Sequence, residues 1–431
     1  MPNISTFTGT LASIIEEGVI ERELMQSLRP ALLWNQCVET RLHQGGIGEL
    51  VSMTREGLIT PSTEAEAELA AGADPTAVTR SREQFSYRVK SYSKYLDLNA
   101  PSSYLAAANT FLPGLNALGF QAMQSINRIR RDRMFAAYAG GNSFATAAGV
   151  AVTALVVADA TGFGEVIVNG VVTAVSSTNP GTLAIAGTNR TYTAVDTSTN
   201  TITLSSAQTW SQYDSVVRSD ATPVFRQSSR ATDRLVVAGD TPTMATFRDA
   251  AAWLRGQNVP GMDGTPTGDY WCFIDSDVEN ALNADTEFRS AINGGGLALQ
   301  AAAGILGRYA GIVFVRQPKS ESKIIASSAP YQTTIHRSIM VGGGGALIEA
   351  YVPEESIVSH GQPYVGGSHY RVSVTEALSV VLQAPTDKLG RKVVASWIGN
   401  MGWGAPTDIN NATGSSVRHK RAVAIHTAGP A

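Results

Sequence analysis

The sequence predicts an α+β chain with one unusually long helix and a small all-β module inserted behind it. Three observations carry this reading. Apolar residues recur at alternating steps of three and four between positions 102 and 139. Composition then shifts sharply at 144–222, where Thr occurs fifteen times and Lys never. Finally, β-rich runs separated by turn signals fill residues 356–431.

Residues 1–45 read as an arm. Short helical patches (Leu11, Ile14, Ile15, then Leu24, Leu28) are separated by Gly18 and Pro30. They hold too few apolar residues for a core of their own, so the arm must lie on something else.

Residues 46–100 read as a long hairpin. One strand is predicted near 47–54. The other covers 85–97, where Phe85, Tyr87 and Val89 alternate with Ser86, Arg88 and Lys90. Its tip is roughly 30 residues long, against 2–5 in ordinary hairpins. Charge sorts along it: Glu64, Glu66, Glu68 and Asp74 on the tip, then Arg80, Arg82, Arg88, Lys90 and Lys94 behind. Such sorting permits head-to-tail pairing between copies, although a solvated loop is the plainer account of any one charge run.

In the long helix the apolar register runs through Leu105, Ala108, Leu112, Leu115, Gly119, Ala122, Ile126, Ile129 and Ala136. Pro113 demands either a kink or a helix start. A main helix over 113–139 would be ~40 Å long, and Gly140-Gly141 would stop it.

In the Thr-rich stretch, short β-prone runs at 166–168, 171–175 and 201–204 are bounded by turn residues. Asn169-Gly170 between two valine runs is a strong two-residue hairpin signal.

Residues 223–355 return to mixed α/β character. A helix is expected over 243–255 with Thr243 as its cap, a buried strand over 270–274, an acidic helix from Asp275, and strands over 312–315 and 346–352. Two further runs, 370–382 and 392–403, read as a hairpin closed by 385–390.

The chain has 431 residues, with 43% hydrophobic content and a net charge of −3. Disordered and collagen-like classes are excluded, and bulk charge argues against a dedicated nucleic-acid binder. Charged residues are 16%, against roughly 25% in an average domain. Only seven lysines occur, none before Lys90. Low charge with an Arg bias fits a protein that buries much of its outside against partners, and Arg-favouring codon usage is the plainer alternative. Cys37 and Cys272 provide neither a disulfide framework nor a metal spacing. No targeting signal is visible. The uncharged stretch 134–158 is interrupted by Gly140-Gly141-Asn142-Ser143, so no membrane span is expected.

Enzyme signatures are missing from the sequence. The histidines (His43, His336, His360, His369, His419, His426) lack zinc-binding spacing, and no nucleophile elbow or phosphate-binding loop occurs. Asp275-x-Asp277-x-Glu279 reads as acids favouring a helix N-terminus rather than a cation site. Cys272 reads as an inert core thiol. No catalytic residue, cofactor or metal is expected. The one basic cluster is Arg128, Arg130, Arg131 and Arg133. With Ile126 and Ile129 apolar, most of these arginines should point outward, toward phosphates or toward acids of an adjacent subunit. The run 418–421 (RHKR) reads as a solvated tail.

The order of elements, more than any motif, resembles the major capsid protein of tailed bacteriophages, the Hong Kong 97-type fold. Two segments are similar to stretches of phage coat proteins: 270–288 (YWCFIDSDVENALNADTEF) and 304–315 (GILGRYAGIVFV). The resemblance implies an N-terminal arm at 1–45, an E-loop hairpin at 46–100 and a spine helix of a peripheral domain at 101–143. It implies a mainly axial domain at 223–355, with peripheral-domain strands and a C-terminal tail at 356–431. The segment 144–222 stands outside it, as an accessory insertion. An icosahedral shell of hexamers and pentamers around double-stranded DNA is implied, assembled in the host cytoplasm and carried in the virion.

Intersubunit contacts would then fall on Glu64, Glu66, Glu68, Arg80, Arg82, Arg88, Lys90 and Lys94. Arg128, Arg130, Arg131 and Arg133 would face DNA or a neighbour. Portal and decoration proteins are further implied partners. The chain begins with the arm and, unless one was removed, no long scaffolding segment precedes it, so a separate scaffolding protein is expected if scaffolding is used. Cross-linked members of the family join an E-loop Lys to an Asn. Lys90 and Lys94 lie on the hairpin's second strand and Asn400 in a late strand, and no cross-link is predicted. An encapsulin-type, protein-filled shell resembles the same fold, but the Thr-rich insertion argues against it. A hydrolase would need a Ser/His/Asp set, with His360 or His369, that the sequence does not signal.

Overall fold

Residues 111–138 form a single helix, α1 (Phe111–Tyr138), in the computed structural model. At 28 residues it is ~42 Å long. Pro113 sits in its first turn, where a missing N–H costs nothing. The stop is steric. Gly141 takes φ +77°, and a Cβ on Gly140 would come within 2.1 Å of the Ala136 carbonyl oxygen. The structure describes residues 33–43, 50–56, 68, 74, 77, 82–99, 111–168, 171–265, 267–293, 305–343, 345–353, 369–375, 378–383, 392–406 and 420–429. The helical patches of the arm, most of the hairpin tip and Asn169-Gly170 lie outside them.

The chain divides into two units. The first takes residues 1–51, 86–131 and 347–404. Its centre is the 13-residue strand Lys392–Gly404. This strand pairs antiparallel with Leu378–Gln383, Lys90–Asn99 and Leu347–Val352. Val38–Leu42 adds in parallel to Leu347–Val352, and His369–Thr375 closes the other edge. The end of the predicted arm is thus a sheet strand, preceded by the fully buried Trp34, whose backbone N–H donates to Asn127 Oδ1 of α1.

Two expectations need correcting here. The return strand predicted over 85–97 is broken at Val89. Arg82–Arg88 neighbours Leu50–Glu56, whereas Lys90–Asn99 joins Lys392–Gly404, with Lys90 opposite Met401. Tyr92 packs edge-on against Trp403 at 5.3 Å, an aromatic contact that favours this second pairing. The run 370–382 is likewise two strands, His369–Thr375 and Leu378–Gln383, paired with each other. No Gly or Pro marks the fold-back, so the β pattern reads as continuous.

The second unit takes residues 52–85, 132–346 and 405–431. The Thr-rich stretch forms a six-stranded antiparallel sheet. Its order is Asn142–Phe144, Ser215–Arg218, Gly181–Ile185, Thr188–Asp196, Thr201–Trp210, Gly149–Val156. An Ala145–Val157 bridge draws the two outer strands together at one point. Phe163, Leu183, Tyr192, Ile202 and Val216 fill the interior, where the Tyr192 hydroxyl donates to the Phe163 carbonyl at 2.8 Å. Glu165–Val168 and Val171–Ala174 pair as a hairpin, Val168 opposite Val171. Gln84 of the Arg82–Arg88 strand pairs with Val171.

The remainder of this unit is a seven-stranded mixed sheet with three helices: α2 (Met244–Gly256), α3 (Ser276–Ala284) and α4 (Thr286–Asn293). Phe314 packs edge-on between Phe247 and Phe288. Thr243 holds the N-cap position of α2, but its side chain makes no capping bond; Asp285 Oδ2 accepts from the Met244 N–H instead, at 2.7 Å. The Asp275 carboxylate does cap α3, accepting from the Asp277 and Val278 N–H groups.

The solvated-tail reading of 418–421 fails at Lys420, while Arg418 and His419 lie outside the described residues. Lys420 is buried, and every residue of the strand Ala422–Ala428 is buried inside the mixed sheet, paired with Ile335–Val341 and Phe225–Arg226. An almost uncharged strand gains its burial energy there.

Candidate assembly surfaces

The helix cluster departs most from expectation. The buried face of α1 runs through Leu118, Ala122, Ile126, Arg130, Met134 and Tyr138, so Arg130 replaces Ile129 on it. Arg130 is 5% exposed and holds Glu349 with two parallel bonds, Nε to Oε2 at 2.7 Å and Nη2 to Oε1 at 2.8 Å. Trp403 Nε1 donates to the same carboxylate at 2.5 Å. Arg131 is also buried. The expectation that most of these arginines point outward is therefore corrected: Arg128 and Arg133 are exposed, Arg130 and Arg131 are not. A fork-shaped guanidinium tolerates this burial because a matched carboxylate neutralises it.

Glu64, Glu66 and Arg80 lie outside the described residues, as does the Arg82 side chain. Glu68, Arg88, Lys90 and Lys94 are exposed. Lys90 and Lys94 stand on the Lys90–Asn99 strand of the first unit. There Ser91 lies opposite Asn400, with Ser91 Oγ donating to Asn400 Oδ1 at 2.6 Å. That hydrogen bond occupies the Asn400 side-chain oxygen within a buried strand position. Apolar side chains are exposed as well: Leu42, Tyr95 and Phe120 in the first unit, Val150, Val152 and Val171 in the second.

A second charged cluster lies in the second unit. Asp233 receives Arg226 Nε at 2.5 Å and His426 Nδ1 at 2.9 Å, with Arg337 Nη2 at 3.9 Å. Burial works against the ionised Asp233, but His426, Arg226 and Arg337 outweigh it and hold the carboxyl well below the usual range. His426 is lowered chiefly by burial, with Arg337 and Arg226 adding to that and Asp233 opposing it. These groups line a cavity of about 110 Å³ beside the end of α1, together with Lys323 and Tyr331.

The pair has the base–orienter geometry of a hydrolase triad, but His426 Nε2 touches no hydroxyl or thiol among the described residues. His360 lies outside them. Both cysteines are buried, and burial pushes their thiols up, away from reactivity. No group of three or more His, Cys, Asp or Glu among the described residues is arranged to hold a metal. Asp277 and Glu279 instead pair with Lys319 and Arg316. No helix among the described residues is long and apolar enough to cross a membrane.

Sequence reasoning missed Glu349, Asp233 and His426. A signal existed for two of them. Glu349 is the one charge in Leu347–Val352, and His426 the one titratable group in Ala422–Ala428. A lone ionisable residue inside an apolar strand has to find a buried partner.

No family model and no curated protein matches the sequence. Among solved structures, the capsid of Ralstonia phage GP4 is similar over 93% of this chain and 92% of its own, at 13% identity and a TM-score of 0.53. The cyanophage Pam1 capsid (11% identity, 94% and 93% covered, TM-score 0.49) and the head of Helicobacter pylori bacteriophage KHP40 (10%, 93% and 91%, 0.48) are also similar. The match to the GP4 capsid spans nearly the whole of both chains, so the fold is that of a phage major capsid protein, a mixed α+β architecture.

Proposed function

We propose that this chain is a phage major capsid protein, self-assembling into an icosahedral head shell that encloses double-stranded DNA. The observation that carries this is the whole-length fold match to the Ralstonia phage GP4 capsid. It acts as a structural protein, not an enzyme, and resides in the virion. The residues before Trp34 serve as an arm, and the hairpin that rises from Leu50–Glu56 and returns through Arg82–Arg88 serves as an E-loop reaching a neighbour, with Glu64, Glu66, Glu68, Arg80, Arg82 and Arg88 at contacts between copies and Lys90 and Lys94 exposed on the adjoining sheet strand as further contact candidates. Arg128 and Arg133 face DNA or an adjacent subunit. Scaffolding, portal and decoration proteins are the remaining partners of this reading. Assembly is driven by apolar surface such as Tyr95, 69% exposed in the isolated chain, which a neighbour would cover.

Negative-stain electron microscopy of the expressed protein tests the proposal. Closed icosahedral particles are expected, and a strictly monomeric protein under all assembly conditions overturns it. Nuclease-protected DNA inside native particles separates the head shell from a protein-filled compartment.

A further inference from the structure

The strand Gly149–Val156 ends the six-stranded sheet of the Thr-rich module. It carries no charged residue, and positions 150–154 are all exposed, with Val150 at 76% and Val152 at 40%. Natural proteins protect such edges with charges, short length, proline or bulges; here the one such device is the irregularity at Ala151, which leaves 152–155 regular. This chain places a charge at each of its other described edge strands of four or more residues. Val38–Leu42 contains Glu39, Leu50–Glu56 Glu56, Lys90–Asn99 Lys94, Glu165–Val168 Glu165, Ile305–Tyr309 Arg308 and His369–Thr375 Arg371. Gly149–Val156 is the exception.

We infer that this edge is a self-association surface, and that its occupant is the same strand of a second copy. Self-complementarity selects that partner. Antiparallel pairing of the strand with itself places no charge opposite another, and centred on residues 152–155 it sets Val152 opposite Leu155 and Thr153 opposite Ala154. A charged partner edge would instead have to desolvate its charges against apolar side chains with nothing to pair them. The regular stretch available is short. Ala151 takes φ +51°, and Thr146 N–H already donates to the Val156 carbonyl at 3.0 Å. Pairing therefore centres on residues 152–155, and buried valine side chains supply the rest of the contact.

The inference rests on the shell reading for its abundance of neighbouring copies, but its test is separate. The full-length Thr153→Cys variant is treated with a short bis-maleimide, and Cys37 and Cys272 are too buried to compete. Asn189→Cys, exposed elsewhere on the module, is the control. Strand pairing should raise the covalent dimer at least about tenfold over that control by effective concentration. Adding Val150→Lys and Val152→Lys should abolish the excess. Equal cross-linking at both positions, or an excess that survives the lysines, overturns the inference. Micrographs of the same samples keep the two ideas apart: particles without the dimer excess sink only this surface, and the excess without particles sinks only the shell.

Discussion

The two units each bury an ionised cluster, and they do it differently. In the first, Arg130 and Glu349 match one to one, fork against carboxylate, with Trp403 supplying a further donor. In the second, a single carboxylate, Asp233, serves two arginines and a histidine. The first cluster pairs one guanidinium with one carboxylate and contains no histidine. The second carries an excess positive charge that grows if His426 gains a proton. One arrangement is a fixed brace between helix and sheet. The other is a brace whose strength depends on pH.

The largest expected effect breaks the first brace. Glu349→Ala leaves the Arg130 guanidinium buried without its partner, at a cost of about 3–5 kcal/mol. Denaturant unfolding followed by tryptophan fluorescence measures this. Replacing both residues with Met should recover most of the loss, because neither charge is then stranded. A Glu349→Ala cost below about 1 kcal/mol, the range of surface pairs, would place this pair in solvent and erase the contrast between the clusters.

The next effect sharpens the contrast through pH. His426 titrates below the ordinary imidazole value of 6.5 when folded, because burial favours its neutral form. The folded state therefore binds fewer protons than the unfolded one. The contribution is complete above pH 6.5 and is lost as pH falls below it. Asp233 acts in a different window: its depressed carboxyl loses its contribution only below its ordinary 3.8. Unfolding free energies measured between pH 7 and about 5 should fall for the wild type and fall less for His426→Gln. Parallel curves for the two proteins would remove His426 as the origin of acid sensitivity.

What was legible in the sequence follows the range of the interactions. The helix ending at Gly140-Gly141 and the valine hairpin at 165–174 rest on local periodicity and turn chemistry, and both were readable. The break at Val89 was not, because it depends on Lys90–Asn99 finding Lys392–Gly404 some 300 positions away. The strand Ala422–Ala428 went unpredicted for the same reason: its partners are Ile335–Val341 and Phe225–Arg226. On α1 the reading kept Ile129 and rejected Arg130 as a core position, since charge outweighed register. Glu349, the residue that reverses this, is 219 positions away. Of the candidate surface, the charge of each strand was readable, but which strands are edges was not, so the uncharged edge at 149–156 went unseen.

The smallest effect tests the same helix from outside. Arg128 and Arg133 share the basic run with Arg130 but are exposed, whereas Arg130 is buried. Arg128→Ala with Arg133→Ala should leave the unfolding midpoint unchanged, the usual result for surface substitutions, while Arg130→Ala lowers it by leaving Glu349 unpaired. If the exposed pair contacts packaged DNA, particles of the double variant should release DNA at lower salt than wild type, because fewer phosphate contacts flatten and weaken the electrostatic term. If it contacts an adjacent subunit instead, the same variant should lower the yield of closed particles with no change in the salt at which DNA is released. A fall in the unfolding midpoint comparable to that of Arg130→Ala would mean that the outer arginines also brace the fold. The division of one basic run into a buried brace and an exposed contact would then fail.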